Sequence, residues 1–134
     1  MDADVLRVLR ASNPWITSQR AFPDAAKHHI PDPFIPRIVP EAADWPRPGK
    51  AHLVVGARQV GKSSFLWNWF RERATPPLFI NAEERLIQSW CRSPALVLDD
   101  LRKLWPSKLP VLIEEAQHLD EAGLLVKGLV DGGL

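Results

Sequence analysis

The sequence predicts an α/β fold built on a parallel sheet. Three observations carry this reading: short apolar runs at residues 53–55, 78–80 and 111–113, helical patterns between them, and a glycine-bearing loop joining the first run to a helix. Apolar runs of this length, bounded by turn residues, suit strands covered by helices on both faces. The loop, Gly56-Ala57-Arg58-Gln59-Val60-Gly61-Lys62-Ser63, fits the phosphate-loop pattern G-x-x-x-x-G-K-[ST] at every fixed position. Average residue usage produces such a match by chance in roughly one of a few hundred chains this short. Its context is right as well. Leu53, Val54 and Val55 lead into it, and Phe65, Leu66, Trp69 and Phe70 follow at helical spacing, with Arg71, Glu72 and Arg73 near the far end.

The residue types have a chemical reason. Gly56 and Gly61 allow backbone angles and close approaches that a side chain blocks, so successive N–H groups of residues 56–64, through Ser64, can face a phosphate. A helix starting near Lys62 adds the positive end of its dipole. Lys62 is expected to reach the β- and γ-phosphates, and the Ser63 hydroxyl suits a Mg²⁺ ligand.

Length and composition narrow the rest. A chain of 134 residues suits one domain with a core, and 46% hydrophobic with 25% charged residues argues against disorder throughout. A formal charge of +1 creates no global field favouring nucleic acid or acidic membrane, so neither partner is inferred. The lone Cys91 has no internal disulfide partner, and no Cys or His cluster stands at zinc-ligand spacing. His28 and His29, in a proline-rich segment, read as solvated. No apolar run approaches the ~18 residues of a membrane span, and Asp2 and Asp4 stand where a signal peptide is basic. A soluble, cytoplasmic protein is expected.

Along the chain, residues 4–10 read as a short amphipathic helix ending before Asn13-Pro14. Eight prolines between Pro14 and Pro48 predict an irregular arm, and its Trp15, Ile16, Phe22, Phe34, Ile35 and Trp45 suggest that it lies over the core. The division is therefore 1–49, helix and arm, and 50–134, core. Thr75-Pro76-Pro77 ends the loop helix before the strand at 78–80. Residues 83–92 and 95–105 read as helices separated by Pro94, the second with Leu96, Val97, Leu101 and Leu104 as its apolar face. The six tryptophans are read first as core packing, with Trp69 on the buried side of its helix and Trp67 less clearly so.

Val111-Leu112-Ile113 then delivers Glu114 and Glu115 at a strand's carboxyl end, where ligands sit in open α/β sheets. Side chains alternate along a strand, so the two acids take different directions. Glu114 can approach a metal, directly or through water, and Glu115 can polarise an attacking water as general base.

These two segments resemble the Walker A and Walker B motifs of AAA+ superfamily ATPases. They are most similar to a bacterial and archaeal group reading G-x-R-Q-V-G-K-T and I-D-E-A-Q, often followed by a separate carboxy-terminal domain. Residues 124–133, LLVKGLVDGG, resemble the helix and turn after Walker B in that group, and Asn13-Pro14-Trp15 resembles its N-P-W opening. The resemblance implies a three-layer P-loop NTPase with ATP and Mg²⁺ as ligands, and oligomers or a further domain as partners. Glu114 stands where the group has Asp, adding one methylene and about 1.5 Å of reach. By the same resemblance, a chain stopping at Leu134 lacks the next strand, which lies between the runs at 111–113 and 53–55, and the sensor and arginine finger. An incomplete sheet and impaired ATP hydrolysis are expected. A nucleotide-dependent binding module without turnover is the alternative. A helicase fragment, suggested by the likeness of Glu114-Glu115-Ala116-Gln117-His118 to D-E-A-x boxes, and a small-molecule kinase rank lower.

Overall fold

Asp2 begins the first helix by accepting from the Asp4 N–H at 2.8 Å, and α1 (Ala3–Ser12) buries Val5 and Leu9. The computed structural model describes residues 1–32, 34–35, 39–45, 47, 49–56, 61–105 and 110–133. Within them follow α2 (Phe22–Lys27), α3 (Lys62–Glu72), β1 (Leu78–Asn81), α4 (Arg85–Trp90), α5 (Pro94–Leu104), β2 (Val111–Glu114) and α6 (Ala122–Asp131).

The two strands form a parallel pair, Leu78 opposite Val111 and Asn81 opposite Glu114. Alternation along each strand sends side chains into two cores. Leu78 and Ile80 pack with Val5 and Leu9 of α1, Ile87 of α4, Val97 and Leu101 of α5, and Leu125 and Leu129 of α6. Phe79 and Leu112 face the other way, against Trp15, Phe22, Ala26, Ala42, Trp67, Trp69 and Phe70. Full burial of such a side chain stabilises by about 1.5–3 kcal/mol, so the sheet is held from both faces. Mixed helices around a small parallel sheet make this an α/β protein.

Residues before position 50 supply much of the second core. Trp15 is 1% exposed and donates its indole N–H to the Pro77 carbonyl at 2.7 Å, while Trp69 donates to the Ala42 carbonyl at 3.0 Å. This region is more regular than its prolines suggest. It contains α2 and 3₁₀ turns at Pro14–Ile16, Gln19–Ala21 and Pro40–Asp44, and Pro14, Pro23 and Pro40 sit in the first turns, where a missing N–H costs nothing. Asn13 is fully buried. Its side-chain amide donates to the Leu9 and Phe79 carbonyls, each at 2.8 Å, and accepts from the Phe79 N–H at 2.6 Å. One side chain thus supplies β1 with the two hydrogen bonds that a neighbouring strand would.

Three expectations are corrected. Residues 51–56 form no strand, and Leu53 and Val55 are 85% and 78% exposed. A strand requires a partner; β2 pairs with β1, and no described strand lies beside 53–55. Leu96, assigned to the apolar face of α5, is 61% exposed, because Val97 and Leu101 turn toward α6 and the sheet. Pro94 starts α5 rather than only interrupting a helical stretch. The close approach of α5 and α6 depends on Gly128, where an added Cβ would stand 2.8 Å from Pro94 Cβ.

Candidate nucleotide site

Helix α3 begins on Gly61, whose φ of +87° is a left-handed conformation that glycine adopts without strain. The first turn leaves backbone N–H groups without helical partners, and the dipole makes that end favourable for anions. Lys62 folds back so that Nζ donates to the Gly56 carbonyl at 2.6 Å, joining the two ends of the loop. Ala57, Arg58, Gln59 and Val60 lie outside the described residues. Ser64 is half-buried in the first turn of α3.

Ser63 and Trp67 stand one helical turn apart and therefore on one face of α3. Both meet the end of β2. The Ser63 hydroxyl donates to Glu114 Oε1, and the Trp67 indole N–H donates to the same oxygen at 3.1 Å. The serine of the loop pattern and the first acid of the strand end, separated widely in sequence, are thus in direct contact.

Glu115 takes a different course. Its backbone turns left-handed, φ 58° and ψ 39°, as the chain leaves β2 for the 3₁₀ turn Ala116–His118. Its exposed carboxylate accepts from Gln117 Nε2 and gathers with Glu83 and His118, the ligand-type atoms of all three lying within 4.8 Å of one another. Sequence spacing could not reveal that group, because Glu83 arrives from the turn after β1. The two acids do diverge, and Glu115 has its partners apart from Ser63.

Helical spacing alone does not settle the burial of Trp67, yet it is 0% exposed. Helical spacing places it beside Ser63, but its cover comes from distant residues: Trp15, Phe79 and His29 all lie against it. His29 stacks on the indole with ring centroids 4.0 Å apart and planes 9° from parallel. The His29 side chain keeps an edge in solvent, as expected of a solvated histidine, but Trp67 covers its face. This desolvation holds the imidazole below its ordinary range, aided by His28 and opposed by the Glu114 charge. The folded state therefore resists protonation. The stability contributed by a neutral His29 is fully present above about pH 6.5 and is lost as pH falls through the depressed value. His29→Phe, which keeps a stacking ring without a titrating nitrogen, is expected to flatten the fall in Tm between pH 7.5 and 5. An unchanged profile would place that acid sensitivity elsewhere.

Parallel strands under helices, a glycine at the head of a helix, and its serine against a strand-end acid describe the nucleotide-binding, ATPase-like class of α/β protein. A family model described as AAA domain matches residues 48–134, and the chain belongs to that family. Comparisons with curated proteins and with solved structures found no match. Among the described residues no helix is long and apolar enough to cross a membrane.

Proposed function

We propose that the chain binds ATP with Mg²⁺ and hydrolyses it as an AAA-type ATPase, residues 50–134 forming the core and 1–49 an arm laid over it. The contact between Ser63 and Glu114 carries this reading. Mg²⁺ takes hard oxygen donors, and a hydroxyl and a carboxylate side by side at the head of α3 fit that preference. Ser63 and Glu114 are the residues that would hold the ion, which when bound neutralises phosphate charge. Backbone N–H groups of Gly56, Ala57, Arg58, Gln59, Val60, Gly61, Lys62, Ser63 and Ser64 cradle the phosphates, and Lys62 exchanges the Gly56 carbonyl for a phosphate oxygen. Glu115 accepts a proton from the attacking water. The cytoplasm suits this activity, and Cys91, its thiol pushed up to about 11 by burial, stays protonated at neutral pH. Oligomerisation and a protein partner are further parts of the proposal.

Lys62→Ala is expected to weaken ATP binding by about 1.5–3 kcal/mol, the range for hydrogen bonds to charged groups, or roughly 10–150-fold in Kd. Calorimetry giving equal affinity for both proteins would refute the assignment. A second reading, nucleotide binding without turnover, is favoured by one observation: the Glu115 carboxylate lies with Glu83, Gln117 and His118. Turnover measured beside binding separates the two.

A further inference from the structure

We propose that Trp67 is a positioning residue for the Glu114 carboxylate, holding it toward Ser63, and that the His29 ring braces the indole in that role. The proposal rests on the reading of Glu114 as the acid that faces Mg²⁺.

A glutamate carries one more side-chain torsion than an aspartate, so its carboxylate has more positions to occupy and needs more to hold it. Two donors address the same oxygen, Oε1: the Ser63 hydroxyl and the Trp67 indole N–H, the latter at 3.1 Å. They lie on one face of α3, so the helix fixes the spacing between them. A fully buried indole N–H needs a partner, and here that partner is the Glu114 carboxylate. Trp15 and Phe79 pack edge-on to the indole, with centroids 5.8 Å and 5.1 Å away, and His29 covers it face-on at 4.0 Å. The indole is therefore clamped by the amino-terminal region and β1. When Ser63 turns its oxygen toward a cation, Trp67 is the donor that keeps Glu114 in place.

Trp67→Phe keeps an aromatic ring in the clamp and removes only the donor. Titrating Mg²⁺ into the full chain with a fluorescent ATP analogue, the variant is expected to need about tenfold more Mg²⁺ for half-maximal tight binding, while affinity for the metal-free nucleotide is unchanged. Glu114→Asp combined with Trp67→Phe should recover part of the loss, since the shorter acid has one fewer torsion to restrain. Equal Mg²⁺ requirements in wild type and the folded variant overturn the proposal. So does an equal loss with and without Mg²⁺, the mark of a structural role alone. A second measurement needs no nucleotide. In ¹⁵N spectra of the full chain, the Trp67 indole resonance, identified by its loss in Trp67→Phe, should shift in Glu114→Gln and on addition of Mg²⁺ alone. An indole signal unmoved by Glu114→Gln overturns the proposal whatever the nucleotide does. A shifted signal in a protein that binds no ATP keeps the Trp67–Glu114 pairing and sinks the ATPase reading instead.

Discussion

Glu115→Gln is expected to slow ATP hydrolysis by about 10²–10⁴ while leaving ATP bound, the span for loss of a positioned general base. The substitution is nearly isosteric and keeps an acceptor oxygen, so the change falls on the capacity to take a proton. The position is unusual in two respects. A non-glycine residue in the left-handed region costs of order 1–3 kcal/mol, and such strain persists only where surroundings enforce it. At Glu115 the backbone of β2 lies on one side and the turn Ala116–His118 on the other. The carboxylate also lies among Glu83, Gln117 and His118, so a water-activating role requires it to leave them when nucleotide binds. Single-turnover kinetics beside equilibrium ATP binding test the prediction. A rate unchanged by Glu115→Gln would assign the residue to that exposed group and leave Glu114 as the functional acid of the strand end. A variant with lost ATP binding would instead make Glu115 part of the binding surface.

The parts legible in the sequence are those whose cause is local. Proline immediately precedes both apolar runs, Pro77 before residues 78–80 and Pro110 before residues 111–113, and both runs form paired strands. The loop pattern puts a glycine, free to take a positive φ, just before the helix, and Gly61 caps α3 in that conformation. Residues 53–55 have the same apolar character as the strands, yet they form none and leave Leu53 and Val55 exposed, because strand formation depends on a neighbour that no local pattern encodes. The sequence puts the loop and the strand end at the same end of one sheet, and Ser63 and Glu114 do meet, although the hydrogen bond between them is a detail that spacing does not give. Trp67 is harder to place for a nonlocal reason: its side of α3 is covered by Trp15 and His29, which arrive from a segment whose aromatics suggest an arm over the core without saying which helix face it covers. The side-chain work of Asn13 was invisible for the same reason. Asn13 resembles part of an N-P-W opening, but its hydrogen bonds serve the backbone of β1, 66 residues away.

Asn13→Ala is accordingly expected to lower the stability of the fold by about 3 kcal/mol. The amide serves β1 on the edge that β2 does not occupy, accepting from the Phe79 N–H at 2.6 Å and donating to the Phe79 carbonyl at 2.8 Å. Alanine removes both partners at once. A buried backbone group left without a hydrogen bond costs roughly 1–3 kcal/mol, and two are exposed to that loss. The amide also holds the last carbonyl-bearing turn of α1 through Leu9, so the helix and the strand loosen together. Asn13→Asp separates the contributions, because a carboxylate still accepts from the Phe79 N–H but donates to neither carbonyl and buries a charge beside both. Its loss should equal or exceed that of alanine. Trp15→Phe is the milder comparison, losing one hydrogen bond to the Pro77 carbonyl while keeping most of the ring, at a cost of about 1–2 kcal/mol. Urea unfolding followed by tryptophan fluorescence measures all three. A change below about 1 kcal/mol for Asn13→Ala would show that water replaces the amide on that edge of β1, and the edge would then not depend on the amino-terminal region for its hydrogen bonds.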